Sequence, residues 1–206
     1  MLSSVDGKVS SGPSDSDDLE LVLKANGLKQ YFALEKQTDE WCFNSGRVLA
    51  KVIDYIGIPK EQIPVNLVVA DTRHLTPRHV ERLCMRFKNV FIATEKNHHP
   101  AFNSYDENLS IIHYKRGHFT QLFDSLYNMY GCERLTIQSG GTINSILFSL
   151  NLIDRVKVVA APIIVGGHST PTMVDGLPVE THLTLNSVSV LKHSYVVYDY
   201  SVKEGK

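Results

Sequence analysis

The sequence predicts an α/β protein with a mixed, mainly parallel sheet flanked by helices and an antiparallel hairpin near its carboxyl end. Apolar, β-branched runs alternate along the chain with segments in which apolar residues recur at helical spacing. Such alternation is typical of parallel strands that are joined by helices. The hairpin is predicted from residues 181–191, which alternate polar and apolar side chains, and from the β-rich residues 195–201.

The individual elements follow in chain order. The predicted strands are short apolar runs at residues 40–44, 65–70, 89–94, 109–113 and 156–165. A further predicted strand begins at Leu135 and ends at the glycine pair 140–141. The predicted helices have apolar residues three and four apart, at residues 18–35, 46–56, 76–87, 119–130 and 143–152. Thr76-Pro77 is a good N-cap and first-turn pair, and Gly131 is a typical C-cap. We expect one domain over residues 1–206.

Composition limits the functions that the chain can have. The net charge is −1 and the 21 Lys and Arg residues are spread along the 206 residues, which excludes a basic nucleic-acid surface. No apolar run is long enough to cross a bilayer, so no membrane partner is expected. Three scattered cysteines and the lack of a visible signal peptide favour a reduced, cytoplasmic protein. We expect His98-His99 to lie in a solvated loop, and we expect no metal.

The stretch from Leu135 to Asn144 gives the strongest functional signal. An apolar run ends at Gly140-Gly141, and Thr142 then opens an amphipathic segment, which predicts a strand, a tight turn and a helix. Free N–H groups at such a helix start favour an anion, typically a phosphate, and glycine lets it approach the backbone. A second apolar run ends at Gly166-Gly167. The alternative is that each glycine pair only makes a turn.

Polar side chains follow the predicted parallel strands. They are hydroxyl, small or cationic, in the groups Ser45-Gly46-Arg47, Asp71-Thr72-Arg73, Thr94-Glu95-Lys96, Ser139-Gly140-Gly141 and Gly166-Gly167. Ligands of open α/β sheets bind at the carboxyl ends of strands, so we expect these groups to meet around a phosphate-rich cofactor. The motifs GxGxxG and GxxxxGK[ST] are absent, which excludes an ordinary dinucleotide-binding dehydrogenase and a P-loop nucleotide hydrolase.

Four motifs keep a fixed order over nearly the whole chain. They are residues 2–8 (LSSVDGK), 68–73 (VVADTR), 138–144 (QSGGTIN) and 152–167 (LIDRV, then AP, then GG). They resemble the S-x-D-G-K, V-V-L-D-S-R, E-G-G-G-T-L-N and L-V-D-E-L…A-P-x-L-L-G-G motifs of the reductase domain of riboflavin biosynthesis proteins, in the dihydrofolate-reductase-like superfamily. The resemblance implies that fold, NADPH as the cofactor, a small-molecule substrate and a homodimer.

The resemblance also implies a reaction. The nicotinamide hydride reduces C1′ of the opened ribose of 5-amino-6-(5-phosphoribosylamino)uracil, and a proton reaches the ring oxygen. The implied cofactor residues are Gly46, Arg47, Val48, Asp71, Thr72, Arg73, Thr94, Ser139, Gly140, Gly141, Thr142, Ile143 and Gly166. The implied substrate residues are Ser4, Asp6 and Lys8, with Asp6 also the candidate catalytic group for substrate contact or proton handling.

Several of these roles have simpler alternatives. For Asp6 the alternative is a turn formed with the glycine that follows, for Arg73 a solvated surface position, and for Asp71 a cap on the next turn. If Arg73 does meet the cofactor, an arginine there suits the 2′-phosphate of NADPH. If Gly141 lies under the pyrophosphate, Gly141→Val should remove cofactor binding and leave the protein folded.

The chain also departs from the family pattern. Family members carry a D-D-P-x-L segment after the residues that match Gly46-Arg47-Val48, whereas in this chain residues 49–55 read LAKVIDY. Their first strand precedes the S-x-D-G-K motif, so we expect the natural protein to start upstream of Met1. Two other functions therefore stay open: an NADPH-dependent reductase of the same fold with another pterin, heteroaromatic or carbonyl substrate, and a non-catalytic nucleotide-binding protein.

Overall fold

A computed structural model describes residues 1–12, 40–178 and 180–203. The chain divides into two compact units, one formed by Thr38–Ser139 and the other by Met1–Gln37 with Gly140–Lys206. The helix predicted at residues 18–35 lies outside the described residues.

Strands and helices alternate through most of the chain. The first part comprises β1 Leu2–Ser4, β2 Trp41–Ser45, α1 Gly46–Val52, β3 Ile63–Ala70, α2 Pro77–Arg86, β4 Phe87–Thr94, a 3₁₀ turn Pro100–Asn103 and β5 Leu109–His113. The second part comprises α3 Phe119–Tyr130, β6 Leu135–Ile137, α4 Gly141–Ser149, β7 Arg155–Ala161, β8 Leu183–Val190, a 3₁₀ turn Lys192–Ser194 and β9 Val196–Val202.

The unit of residues 38–139 is built on a parallel sheet of five strands in the order β5-β4-β3-β2-β6. Its central strands are buried on both faces, which is why they read as unbroken apolar runs. Local signals set the helix ends. Thr76 caps α2 through a capping box with His79, and Gly131 ends α3 at a positive φ of 70°.

The other unit contains a four-stranded mixed sheet in the order β1-β7-β9-β8. Strand β1 is parallel to β7, while β9 pairs antiparallel with both β7 and β8. A small core of Leu2, Val159, Ala161, Tyr195 and Val197 packs on one face of this sheet. Val159 and Ala161 are two residues apart in β7, and Val197 of β9 is two residues from Tyr195, as expected for strands that bury one face.

The fold class predicted from the sequence is confirmed, with two differences in detail. The strands divide between two hydrogen-bonded sheets instead of one. The strand predicted at residues 156–165 ends four residues earlier than expected, before the second glycine pair. Strand β7 ends at Ala161 before Pro162, which has no N–H to donate, and Gly166 and Gly167 lie in an irregular loop with φ of 71° and 81°. Across the described ranges, no helix is long and apolar enough to cross a bilayer.

Candidate functional site

Three of the predicted polar groups, and Ser139 of a fourth, lie at one edge of the parallel sheet. The strand register places Ser45 beside Ala70, and Ala70 beside Ala93, so the segments that follow β2, β3 and β4 leave the sheet at the same level. The main-chain N–H of Gln138 donates to the carbonyl of Phe43 at 2.8 Å, which brings Ser139 to this edge. Gly140-Gly141 and the fifth group, Gly166-Gly167, belong to the unit that contains the other sheet.

The segment after β2 packs tightly against the segment after β3. Ser45 is the N-cap of α1 and accepts a hydrogen bond from the N–H of Val48 at 3.3 Å. A Cβ atom on Gly46 would overlap the carboxyl group of Asp71. Gly46 is therefore required for packing between two strand ends. Arg47 is exposed, and Val48 is half-buried.

Asp71 is a buried carboxylate held by four donors. Its oxygens accept hydrogen bonds from the main-chain N–H groups of His74, at 3.1 Å, and Leu75, at 3.0 Å. They also accept from Nδ1 of His74 at 2.8 Å and from Nε2 of His99 at 3.0 Å. The side chains of Asp71 and His99 are both fully buried. The turn-capping alternative thus accounts for three of these four hydrogen bonds, and His99 supplies the fourth from a distant part of the chain.

These donors determine the charge state of Asp71. Burial by itself raises the pKa of a carboxyl group, but the hydrogen bonds from His99, Leu75 and His74 outweigh it and hold the pKa of Asp71 well below its usual range. Asp71 is therefore ionised at neutral pH. The prediction that residues 98–99 form a solvated loop is wrong for His99, because this buried hydrogen bond draws its ring inward, and right for the exposed His98.

The cationic and hydroxyl side chains of this edge differ in exposure. Arg73 and Lys96 are exposed at neighbouring strand ends, and Thr72 is half-buried beside Arg73. Thr94 is fully buried, and its hydroxyl accepts the N–H of Lys96 at 3.2 Å. Thr94 thus shapes the loop, while Arg73 and Lys96 offer positive charge to an anion.

The two glycines that open α4 have different surroundings. Gly140 is the N-cap, with φ −79° and ψ 170°, and a Cβ atom there would meet nothing within 4 Å. A Cβ atom on Gly141 would overlap the carbonyl oxygen of Thr172 and the carboxylate of Asp175. Gly141 is thus a packing glycine, and we expect Gly141→Val to lose stability as well as to disturb the cofactor site. Gly140 is the position at which a ligand can approach the backbone.

The segment of residues 170–175 covers the first turn of α4. Asp175 donates its N–H to the carbonyl of Gly141 at 3.1 Å, and the Asn144 side chain donates to the carbonyl of Met173 at 2.7 Å. The carboxylate of Asp175 also accepts from the N–H of Thr172 at 2.9 Å and from its hydroxyl. Gly141 and Asn144 in the GGTIN motif thus hold this segment.

The same segment joins the amino-terminal motif to α4. The main-chain N–H of Val9 donates to Pro171 at 3.0 Å, and the ammonium of Lys8 donates to the carbonyl of Thr170 at 3.1 Å. Sequence reasoning missed the 170–175 segment. The Thr172-to-Asp175 spacing is its local signal, because Thr and Asp three residues apart often close a turn.

Asp6 anchors the loop that carries the second glycine pair. Its carboxylate accepts the hydroxyl of Ser4 at 2.6 Å, the N–H of Val165 at 3.1 Å and the N–H of Gly166 at 2.7 Å. These bonds, with that from Ser4 the strongest, lower the pKa of Asp6 to about 2. Asp6 is therefore an ionised acceptor at neutral pH, which does not favour a role as proton donor. Gly7, at φ 76°, closes the turn after it.

Ser4, Thr142 and Ile143 lie in the same unit as Asp6, which comprises residues 1–37 and 140–206. Ser4 is buried, and its hydroxyl accepts the N–H of Lys8 at 2.8 Å in addition to donating to Asp6. In the first turn of α4, Thr142 is exposed and Ile143 is half-buried. The amino-terminal motif, Gly166 and the start of α4 are thus linked within one unit. Among the described residues, no group of three or more His, Cys, Asp and Glu side chains is placed to hold a metal ion.

The fold and these groups define a class of protein. A parallel sheet with hydroxyl and cationic residues at its carboxyl edge, and a helix opened by glycine without a side-chain cap, are typical of α/β proteins that bind a phosphate-bearing cofactor. The chain belongs to the family described as the RibD C-terminal domain, whose model matches residues 1–197. The family predicted from the four motifs is therefore confirmed.

Individual relatives agree with this family. A protein of Methanothermobacter thermautotrophicus named 2,5-diamino-6-ribosylamino-4(3H)-pyrimidinone 5′-phosphate reductase is 25% identical over 97% of this chain and 94% of its own length. A protein of the same name from Archaeoglobus fulgidus is 44% identical over 46 residues, which are 22% of this chain and 21% of that protein.

Solved structures show the same fold. RibD of Acinetobacter baumannii superposes with a TM-score of 0.72 at 15% identity over 99% of this chain, which spans only 57% of that longer protein. A putative riboflavin biosynthesis protein of Shewanella sp. PV-4 gives a TM-score of 0.65 at 17% identity, covering 99% of this chain and 97% of its own.

Proposed function

We propose that this protein is an NADPH-dependent reductase of riboflavin biosynthesis that acts on a phosphorylated ribosylaminopyrimidine. The observation that carries the proposal is the match to a named reductase over 97% of this chain and 94% of the relative. The family model also spans both compact units, which supports our prediction that they act as one domain. The buried thiols of Cys42, Cys84 and Cys132 agree with a reducing, cytoplasmic location.

The chain offers suitable groups for a dinucleotide. Gly140 leaves open space at the start of α4, where the helix dipole and main-chain N–H groups favour a pyrophosphate. We propose that Gly140, Thr142 and Ile143 contact it there. Gly141 contributes through packing of the helix start against the 170–175 segment.

We propose that the strand-end group binds the adenosine end of the cofactor. The exposed guanidinium of Arg73 pairs with the 2′-phosphate, Lys96 adds positive charge, and Thr72 contacts the ribose. Six further residues shape the backbone around these contacts: Gly46, Arg47, Val48, Asp71, Thr94 and Ser139.

The bound cofactor supplies a hydride for C1′ of the opened ribose. On the substrate side, we propose that Lys8 provides a cation and that Ser4 and Asp6 hold the turn that presents it. The hydrogen bonds that Asp6 accepts from Val165 and Gly166 also hold the neighbouring loop in place. The chain thus binds and orients the reactants, which is the main way in which a protein accelerates a cofactor's reaction.

The relative that matches nearly the whole chain refines the substrate. Its name specifies the 2,5-diaminopyrimidinone, whereas the resemblance of the motifs implied the uracil form. The two pyrimidines differ at one ring position, where an amino group replaces a carbonyl oxygen. We propose the diaminopyrimidinone as the preferred substrate.

The test is to measure NADPH oxidation with both pyrimidines and with dihydrofolate. We expect turnover with the diaminopyrimidinone and a kcat/KM at least tenfold lower with the uracil, because a mismatched polar group at a fitted site costs on the order of 1–3 kcal/mol. Turnover of dihydrofolate alone would favour the alternative reductase. Binding of NADPH without turnover of any of the three would favour the non-catalytic alternative.

We also propose that the protein is a homodimer that associates through one face of the β7–β9–β8 sheet. The register places Leu185 opposite Tyr200 and Val188 opposite Tyr198, so these side chains share a face. Leu185 is 52% exposed, Val188 50% and Val190 75%. Among the described residues, β8 pairs with β9 alone.

The size of this apolar face agrees with an interface. Val158 of β7 is buried, so the exposed part of the face spans β8 and β9. Two strands about 4.8 Å apart, each about eight residues long at 3.4 Å per residue, give an area on the order of 250 Å². The largest apolar patch on a typical monomer is roughly 300–600 Å², and a stable interface buries roughly 800 Å² per partner. The face is therefore large enough to form the centre of an interface between two copies.

Light scattering on Val188→Glu tests this assembly. We expect the wild-type protein to have twice the chain mass and the variant to dissociate, because a carboxylate would be buried in the apolar interface. Ser189→Glu is the matched control, since Ser189 lies opposite Val197 on the other face of the sheet. A dimer that survives Val188→Glu would show that another surface is used.

A further inference from the structure

The Thr72-Arg73 segment is held at both ends by one buried carboxylate. Asp71 precedes the segment and continues the ladder of β3, because its N–H donates to the carbonyl of Ala93 at 3.0 Å. The same residue's side chain receives both the N–H and the ring Nδ1 of His74, which follows the segment. Thr72 and Arg73 are thus fixed between two anchored neighbours.

His99 supports this carboxylate from a distant part of the chain. Its Nε2 lies 3.0 Å from an Asp71 oxygen, and its Nδ1 accepts the N–H of Ala101 at 3.1 Å. Because Nδ1 is an acceptor, the ring is the neutral tautomer that carries its hydrogen on Nε2 and donates it to Asp71. Both ring nitrogens are therefore used, and the imidazole links the 3₁₀ turn at Pro100–Asn103 to Asp71.

Gly46 packs directly against the Asp71 carboxylate. A Cβ atom there would overlap the Asp71 side chain, so Asp71 is confined between the start of α1 and the His99 ring. A buried, ionised group with every donor in place resists displacement, because movement would leave its charge unpaired. The loop that carries Arg73 is therefore set before any ligand arrives.

We propose that Asp71 and His99 are positioning residues that fix Arg73 for selection of the 2′-phosphate of NADPH over NADH. This inference rests on the proposed function, in which Arg73 contacts that phosphate. Pre-ordering a loop raises affinity because the ordering entropy is not lost on binding. NADH lacks the 2′-phosphate, so its affinity depends little on where Arg73 points.

The test compares three substitutions of His99. His99→Phe keeps a planar ring but cannot donate to Asp71. His99→Asn places its amide near the position of Nδ1, so it can still accept from Ala101 but does not reach Asp71. His99→Gln places its amide near Nε2 and can donate to Asp71, so it is the conservative variant.

Calorimetry would give Kd for NADPH and for NADH on each variant, with circular dichroism to confirm folding. We expect His99→Phe and His99→Asn to weaken NADPH binding roughly tenfold and NADH binding less than about twofold, and His99→Gln to restore the preference. A folded His99→Asn that keeps the wild-type preference would overturn the inference, even if His99→Phe is unfolded.

Failure of the inference is separable from failure of the proposed function. A wild-type protein with equal affinity for both cofactors would contradict the role proposed for Arg73, and with it the inference. A wild-type preference for NADPH that Arg73→Ala removes and the His99 variants leave intact would uphold the cofactor assignment and refute the positioning role alone.

Discussion

The two glycines that open α4 allow a sharp prediction, because they are adjacent and differ in one respect. Alanine at Gly141 places a Cβ atom against the carbonyl of Thr172 and the carboxylate of Asp175. Overpacking of this kind lowers the free energy of unfolding by about 1–3 kcal/mol, whereas replacing a glycine by alanine in a helix raises it by at most about 1 kcal/mol. We expect a net loss of about 1–2 kcal/mol, and at about 2–4 °C per kcal/mol the melting temperature should fall by roughly 2–8 °C.

Alanine or valine at Gly140 should behave in the opposite way. The position is open and its φ of −79° suits any residue, so the melting temperature should change by less than about 2 °C. Gly140→Val should nevertheless weaken NADPH binding at least tenfold, because the side chain occupies the space proposed for the pyrophosphate. Thermal melts with and without NADPH measure both effects. A stable Gly141→Ala variant, or a Gly140→Val variant that binds NADPH normally, would refute this reasoning.

Three further predictions concern charged residues. Arg73→Ala should reduce the preference for NADPH over NADH by at least about tenfold in calorimetry, since a hydrogen bond to a charged group contributes about 1.5–3 kcal/mol. In the wild-type protein, the depressed pKa of Asp71 makes its contribution to the free energy of unfolding complete above the unfolded pKa of about 3.9, and this contribution is lost as pH falls below that value. Asp71→Asn should therefore make the free energy of unfolding depend less on pH in this acid range. Urea titrations from pH 7 to 2 would measure the difference. Asp6→Asn should speed amide hydrogen exchange at Val165 and Gly166, and unchanged exchange would exclude the anchoring role.

Local signals explain the parts of the fold that the sequence predicted well. Thr76-Pro77 and Gly131 set the ends of α2 and α3 through bonds to residues within one or two turns, so their effect can be read without tertiary information. The 109–113 strand and the 119–130 helix were predicted with the bounds that the structure has. Repeated apolar spacing and capping residues are sufficient for such elements.

Contacts between distant residues explain what the sequence did not predict. His99 is buried by a carboxylate 28 positions away, and nothing in the polar stretch around it indicates that partner. Gly140 and Gly141 look equivalent in sequence, yet their roles differ because the 170–175 segment packs on the second alone. The division of strands into two sheets likewise depends on pairings, such as that of Leu2 with Val159, that a local pattern does not specify.

The most direct test of the proposed reaction is transfer of a labelled hydride. The protein would be incubated with the 2,5-diaminopyrimidinone ribosylamino phosphate and NADPH carrying deuterium at the transferable position of nicotinamide C4. We predict a ribitylamino product that contains one deuterium, located at C1′ by NMR, with one equivalent of NADP⁺ formed. Unchanged substrate, or deuterium at any carbon other than C1′, would contradict the proposal that this chain is a ribose-reducing member of its family.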